Sequence, residues 1–248
     1  MGRLLVILGA LLTPLSCLAD ATLIYHNSAG QTAIRTMVQG HLMRMDEGQK
    51  SSVIYDTASS TMTVIEHKER RYFRFDQNTI NKLGSQVSAA QAELKAQLAQ
   101  LPPEQRAMME NMTGGLKQSL ESNLSQTEVS NPGKTETING IKCRVMVYRV
   151  GGNTEYELCL ADPEDVGVSQ TDYLATRKAY AFASEFIRKI ASHVGLESNI
   201  DYSKLNGLTV RVIQNGGDPL ILNEVLDSVP ADAFSIPADY KEDTIEYE

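Results

Sequence analysis

Between Ala21 and Asp76 the chain alternates apolar and polar side chains in short runs, each closed by Gly, Asn, Asp or Ser. A two-residue period marks strands, because successive side chains of a pleated backbone leave it on opposite faces. The runs predict strands at Thr22–Asn27, Thr32–Gln39, His41–Asp46, Ser52–Tyr55, Thr61–Glu66 and Arg71–Phe75, joined as an antiparallel meander. Gly40 is expected as a bulge or tight bend. Ile34, Thr36 and Val38 fall on one side of their strand and Arg35 on the other; Met43 and Met45, then Phe73 and Phe75, alternate with Arg44 and Arg74 in the same way. The meander should therefore present one apolar face.

At Gln77 the period changes. Ile80, Leu83, Val87, Leu94, Leu98 and Leu101 recur at helical spacing and must stop near Pro102-Pro103, after which a second helix starts at Glu104 and carries Met109, Met112, Leu116, Leu120 and Leu124. Residues 77–125 thus read as a helical hairpin inserted into a β-rich chain. Beyond a polar link at 126–134, Ile141–Arg149 and Thr154–Ala161 read as two strands. A third helix spans Asp172–Val194, with Tyr173, Tyr180, Phe186, Ile187 and Ile190 on its apolar side and Gly195 as its C-cap. Leu208–Gln214 and Leu220–Val225 form a last hairpin around Asn215-Gly216-Gly217-Asp218. The fold class expected is α+β: a curved antiparallel sheet with the hairpin insertion and the third helix covering one face.

The first nineteen residues follow another grammar: Arg3, an apolar run from Leu4 to Leu12, then small residues up to Ala19. This is a secretory leader, with cleavage expected after Ala19. The run is too short to span a bilayer, which needs roughly 20 apolar residues; lipidation at Cys17 is disfavoured because Pro14 stands where an aliphatic residue is required. The reading is a leader at 1–19, a single domain at 20–241 and an acidic flexible tail at 242–248, in a protein that is periplasmic and not membrane-spanning. The formal net charge of −8 lacks the basic surplus that phosphate backbones require, so nucleic acid is not an expected partner. After cleavage Cys143 and Cys159 are the remaining cysteines, and an even count in an oxidising compartment favours a disulfide. If Arg149 faces Asn153, the two cysteines stand directly opposite each other, within disulfide reach.

Several local patterns occur together: Ile54-Tyr55-Asp56 before Met62-Thr63-Val64-Ile65, Pro102-Pro103-Glu104-Gln105-Arg106, Asn139-Gly140-Ile141-Lys142-Cys143, and Phe234-Ser235-Ile236-Pro237-Ala238-Asp239-Tyr240-Lys241. With them the chain resembles, over roughly Ala21 to Lys241, the bacterial family known as domain of unknown function 4412. Such domains look like periplasmic carriers of the LolA and LolB type, which implies an incomplete barrel with helices in its concave face. The resemblance transfers no catalytic residue.

Motifs for chemistry are absent from the sequence: no G-x-S-x-G elbow, no Gly-rich phosphate cradle, and no His pair at zinc-ligand spacing. His26, His41, His67 and His193 read as solvated or helix-end residues, and Glu155 with Glu157 as a solvated strand face. The protein is expected to be non-enzymatic and to need neither cofactor nor metal. The suggestive feature is methionine, whose unbranched thioether repacks around varied apolar ligands. Ile34, Val38, Met43, Met45, Val64, Phe73, Phe75, Met109 and Met112 are the candidate lining of an apolar cavity for a lipid acyl chain or lipopeptide. The competing expectation is a filled core, with the helical insertion contacting an envelope protein.

Overall fold

The computed structural model describes residues 20–109, 111, 127–150, 152–193 and 205–243. The expected leader, Met112 and the rest of the expected second inserted helix, Val194, and the expected C-cap Gly195 lie outside the described residues.

The fold is α+β, built on one large, open, curved sheet. Its first six strands are β1 (Asp20–His26), β2 (Thr32–Gln39), β3 (Leu42–Glu47), β4 (Ser51–Asp56), β5 (Thr61–Glu66) and β6 (Arg71–Phe75). The meander continues by β7 (Thr127–Ser130), β8 (Thr135–Ile138), β9 (Ile141–Val150), β10 (Asn153–Ala161), β11 (Leu208–Gln214), β12 (Leu220–Leu226) and β13 (Lys241–Glu242). In space the order is β13-β6-β5-β4-β3-β2-β1-β12-β11-β10-β9-β7, with β8 also paired to β9. Every pairing is antiparallel except β13 on β6. Gly40 lies at positive φ in the two-residue turn that joins β2 to β3, where Gln39 faces Leu42.

Helix α1 (Gln77–Ala99) starts where Asp76 accepts a hydrogen bond from the Thr79 backbone N–H at 2.7 Å. It ends at Ala99 with Gln100 as its C-cap, and Arg106 from the following helix α2 (residues 103–109) donates to the carbonyls of Leu98, Ala99 and Leu101. A helix leaves carbonyls short of partners at its end, and Arg106 serves Ala99 and its neighbours there, so the Pro-Pro-Glu-Gln-Arg pattern is a device for turning the chain. A short helix α3 (Pro163–Val166) precedes the long α4 (Gln170–His193).

Four expectations change. The polar link at 126–134 contains β7, and β8 follows it; both lie at the sheet margin, where a strand needs no apolar alternation. The cysteines are joined, but not from directly opposed positions: Cys159 faces Val145. Val150 pairs with Asn153 across a two-residue turn and Glu155 is bulged out, which moves the register by two residues. A shift of two keeps side chains on their face, and the Cα atoms are 5.3 Å apart. The bulge also separates Glu155 from Glu157, which pairs with Arg211.

The third correction concerns the far side of the meander, which was expected to be polar. Ile24, Met37, Ile54 and Ile65 are buried there beneath a strap formed by residues 227–240, which leaves β12 and crosses the sheet to β13. Thr22 donates to the Ser228 carbonyl at 2.7 Å, Arg44 to the Ala233 carbonyl at 2.6 Å, and His67 Nδ1 meets the Tyr240 hydroxyl at 3.0 Å. Fourth, the acidic tail does not begin frayed. Lys241 N donates to Arg70 O and Asp243 N to Tyr72 O, and Arg71 bonds Asp243, so the edge of β6 is covered; residues 244–248 lie outside the described residues.

Candidate functional site

The register of the meander decides which side chains can cooperate, because directly paired residues share a face. Pairings run Val38–Met43, Met43–Tyr55, Tyr55–Met62 and Met62–Phe75, giving a first apolar row across β2 to β6. A second row runs Thr36–Met45–Val53–Val64–Phe73, and a third Ile34–Glu47–Ser51–Glu66–Arg71. All seven candidate strand residues, Ile34, Val38, Met43, Met45, Val64, Phe73 and Phe75, therefore lie on one face.

Helix α4 lies along the first row. Ala175 and Ala179 pack on Val38 and Met43, and their lack of bulk lets the helix approach the strands closely. Phe182 meets Tyr55 edge-on at 6.2 Å and Phe186 meets Phe75 at 5.3 Å. Val38 and Met43 are wholly buried by this contact. They are core, not lining. Beside the helix, Ile34 and Met45 border a cavity of about 90 Å³ with Tyr25 and Tyr180. Burial pushes both phenols above the usual tyrosine range. Small-molecule pockets run to roughly 300–1,000 Å³, so this cavity does not enclose an acyl chain.

The second row differs from the first. Met45, Val53, Val64 and Phe73 are all half-buried, and the row ends at a larger hollow of about 330 Å³ at the β6 margin. That hollow has an apolar floor of Phe73, Phe75 and Leu83 and a polar rim that includes Arg74, Lys82, Glu242 and Asp243. Phe73 belongs to both. Met109 is not gathered with the strand candidates; it lies on α2, where it and Met108 are exposed, as is Leu94 on α1.

A polar cluster under the strap escaped the sequence reading. Ser52 is 1% exposed; it donates to Asp46 at 2.5 Å, accepts from Arg44 at 2.9 Å and meets His67 Nε2 at 2.7 Å. Its single proton goes to Asp46, so His67 Nε2 carries the hydrogen toward Ser52, while His67 Nδ1 stands 3.0 Å from the Tyr240 hydroxyl. A histidine that donates to a serine is not its general base. The cluster fastens the strap, and His67 is a bonded residue rather than a solvated one. Period and spacing give no sign of it, since Arg44, Ser52, His67 and Tyr240 come from four separate segments. Among the described residues, no group of three or more His, Cys, Asp or Glu converges to hold a metal ion, and no helix is long and apolar enough to cross a membrane.

Structures of PNGF-II in the C2 and P21 space groups match with a TM-score of 0.44, at 10% and 11% identity, covering 92% and 91% of this chain. The chain spans 31% of the length of either, and likeness at that level carries no functional information. No curated protein matches the sequence. The Asn-Gly, Phe-Ser-Ile-Pro and Pro-Pro-Glu-Gln-Arg patterns now have structural roles. Asn139 and Gly140 take positive φ in the β8–β9 turn, 234–241 closes the strap, and Arg106 caps α1. The model of a domain of unknown function, DUF4412, matches residues 74–240, about two thirds of the chain, and the chain belongs to that family.

Proposed function

We propose that this protein is a non-enzymatic binding module of the bacterial periplasm, of the LolA-like kind, that holds one slender amphiphile across the concave face of its sheet. The observation that supports this is the continuity of the half-buried row Met45–Val53–Val64–Phe73 with the hollow floored by Phe73, Phe75 and Leu83. Four neighbouring strands at 4.7–4.9 Å spacing give the row a length of about 14 Å, room for an extended hydrocarbon tail. The rim, which sets Arg74 and Lys82 among Asp76, Glu242 and Asp243, would meet a polar head. The ligand class is a fatty acid, a lipid tail or the acyl group of a lipopeptide, lying in a groove rather than in a closed cavity. The disulfide suits an oxidising compartment.

The test is uptake of a fluorescent fatty acid by delipidated protein, with displacement by unlabelled lipid. Val64→Arg should weaken uptake at least tenfold while the circular dichroism spectrum stays unchanged. Absence of binding at micromolar probe would remove the carrier reading.

Exposure of Leu94, Met108 and Met109 favours a second reading, in which the helical hairpin contacts an envelope protein. Deleting 77–125 would not test this cleanly, because Ile80 and Leu83 are buried in the body. The triple variant Leu94→Glu, Met108→Glu, Met109→Glu should abolish capture of a partner and leave fatty-acid uptake intact.

A further inference from the structure

The second row has two unlike ends. It runs from Thr36 on β2 through Met45, Val53 and Val64 to Phe73 on β6, roughly 19 Å over four strand spacings. At Phe73 it meets the hollow with the charged rim. At Thr36 it meets the small cavity of about 90 Å³, which Met45 borders together with Tyr25, Thr36 and Tyr180. That space equals about three waters, and no charged side chain lines it among the described residues. Tyr25 donates to the Thr209 carbonyl at 2.9 Å, so its hydroxyl oxygen is left as an acceptor. The hydroxyls of Thr36 and Tyr180 have no hydrogen-bond partner among the described residues, although Thr36 is only 7% exposed. Burial, which pushes both phenols above the usual tyrosine range, keeps them neutral. Hydroxyls from β1, β2 and α4 thus border one space, with two donors and an acceptor open.

We propose that this cavity is a socket for the far end of the ligand, and that it takes a small neutral group able both to donate and to accept a hydrogen bond, such as a terminal hydroxyl. The inference rests on the groove reading, in which the polar head lies at the β6 rim, and deepens it by naming which chains are chosen. A plain methyl end entering the socket would leave the Thr36 and Tyr180 hydroxyls unsatisfied. A carboxylate end would give up its hydration and find no cation there. A hydroxyl accepts from Thr36 or Tyr180 and donates to Tyr25, so every group is paired. The socket is too small for a chain and large enough for the end of one. Thr36 and Tyr180 are accordingly the residues that set specificity, and acyl chains with a hydrogen-bonding group opposite the head are the preferred class.

The experiment displaces a fluorescent fatty acid from the delipidated protein at neutral pH. The competitors are unbranched fatty acids of twelve to sixteen carbons, with their ω-hydroxy and α,ω-dicarboxylic counterparts. At the best-fitting length the ω-hydroxy acid should bind about three- to tenfold more tightly than the plain acid, the gain that one or two neutral hydrogen bonds supply. The diacid should bind at least about tenfold more weakly than the hydroxy acid. Thr36→Val and Tyr180→Phe each remove a hydroxyl and keep the shape of the side chain. Combined, they should bring the hydroxy acid to within about twofold of the plain acid without weakening the plain acid. Neither hydroxyl has a partner to lose, so the thermal midpoint of the double variant should move by less than about 2 °C. Equal affinity for plain and hydroxy acids in the wild type would mean that the cavity holds water only, and would overturn the socket while the groove reading stands. An advantage that persists in the double variant overturns it as well. Failure of every chain to bind would remove the groove reading and the socket together.

Discussion

Opening the Cys143–Cys159 bond should destabilise the fold by about 3 kcal/mol. The cysteines are 16 residues apart in sequence, and the loop-entropy relation for a loop of that size gives roughly 3 kcal/mol at 25 °C. For a chain of this length each kcal/mol moves the midpoint by about 2–4 °C, so a fall of ~6–12 °C is expected. Both residues are buried in the core cluster that also holds Val145, Val210 and Leu222. Reductant should therefore act on the unfolded chain and hardly at all on the native one. The chain has no Trp, so the melt is followed by far-ultraviolet circular dichroism, with and without reductant after a cycle of unfolding. Cys143→Ala, Cys159→Ala and the double variant should fall together, because either change opens the same loop; two single effects that simply add would contradict this. A fall of less than ~2 °C would show that the denatured chain already keeps the two positions close, and would refute the loop-entropy account.

Ala179→Leu should destabilise by about 1–3 kcal/mol in urea unfolding, since Ala179 is 1% exposed and rests on Val38 and Met43. Asp76→Ala removes the cap of α1 and should cost about 1 kcal/mol at neutral pH. Hydrogen bonds from Thr79 hold the Asp76 carboxyl below its usual range, so the cap's contribution is complete above the unfolded value near pH ~4 and is lost as pH falls through the folded one. Wild type and variant should accordingly converge in acid. Tyr240→Phe removes the hydroxyl that bonds His67. It should cost about 1 kcal/mol and speed hydrogen exchange at the amides of Lys241 and Asp243, while the amides of β3 and β4 remain protected.

How much could be read in advance follows from how each element declares itself. β2, β5 and β6 begin and end where alternation begins and ends, and α1 starts at the residue where the period changes. Ile34 through Phe75 share a face because strand parity survives small errors of register, as it did at the cysteines. The strap could not be read this way. Residues 227–240 have neither period, and their apolar members gain meaning only from Ile54 and Ile65 beneath them. Nor does alternation separate the first row from the second. Met43 and Met45 look equivalent in sequence, yet α4 seals one and leaves the other half-open, a difference set by where Ala175 and Ala179 fall.

Strand β1 lies at the middle of the sheet, between β2 and β12, with Thr22 paired to Leu226. The earliest described strand thus finds its second neighbour only when nearly all of the polypeptide is available. β2–β6 and β7–β11 can each assemble from near neighbours, but the seam between them waits for the last fifth of the chain. Pairings so distant are slow to close. The two halves of the sheet therefore join last, and closing that seam on β1 is expected to be the slow step by which the fold becomes a single cooperative body.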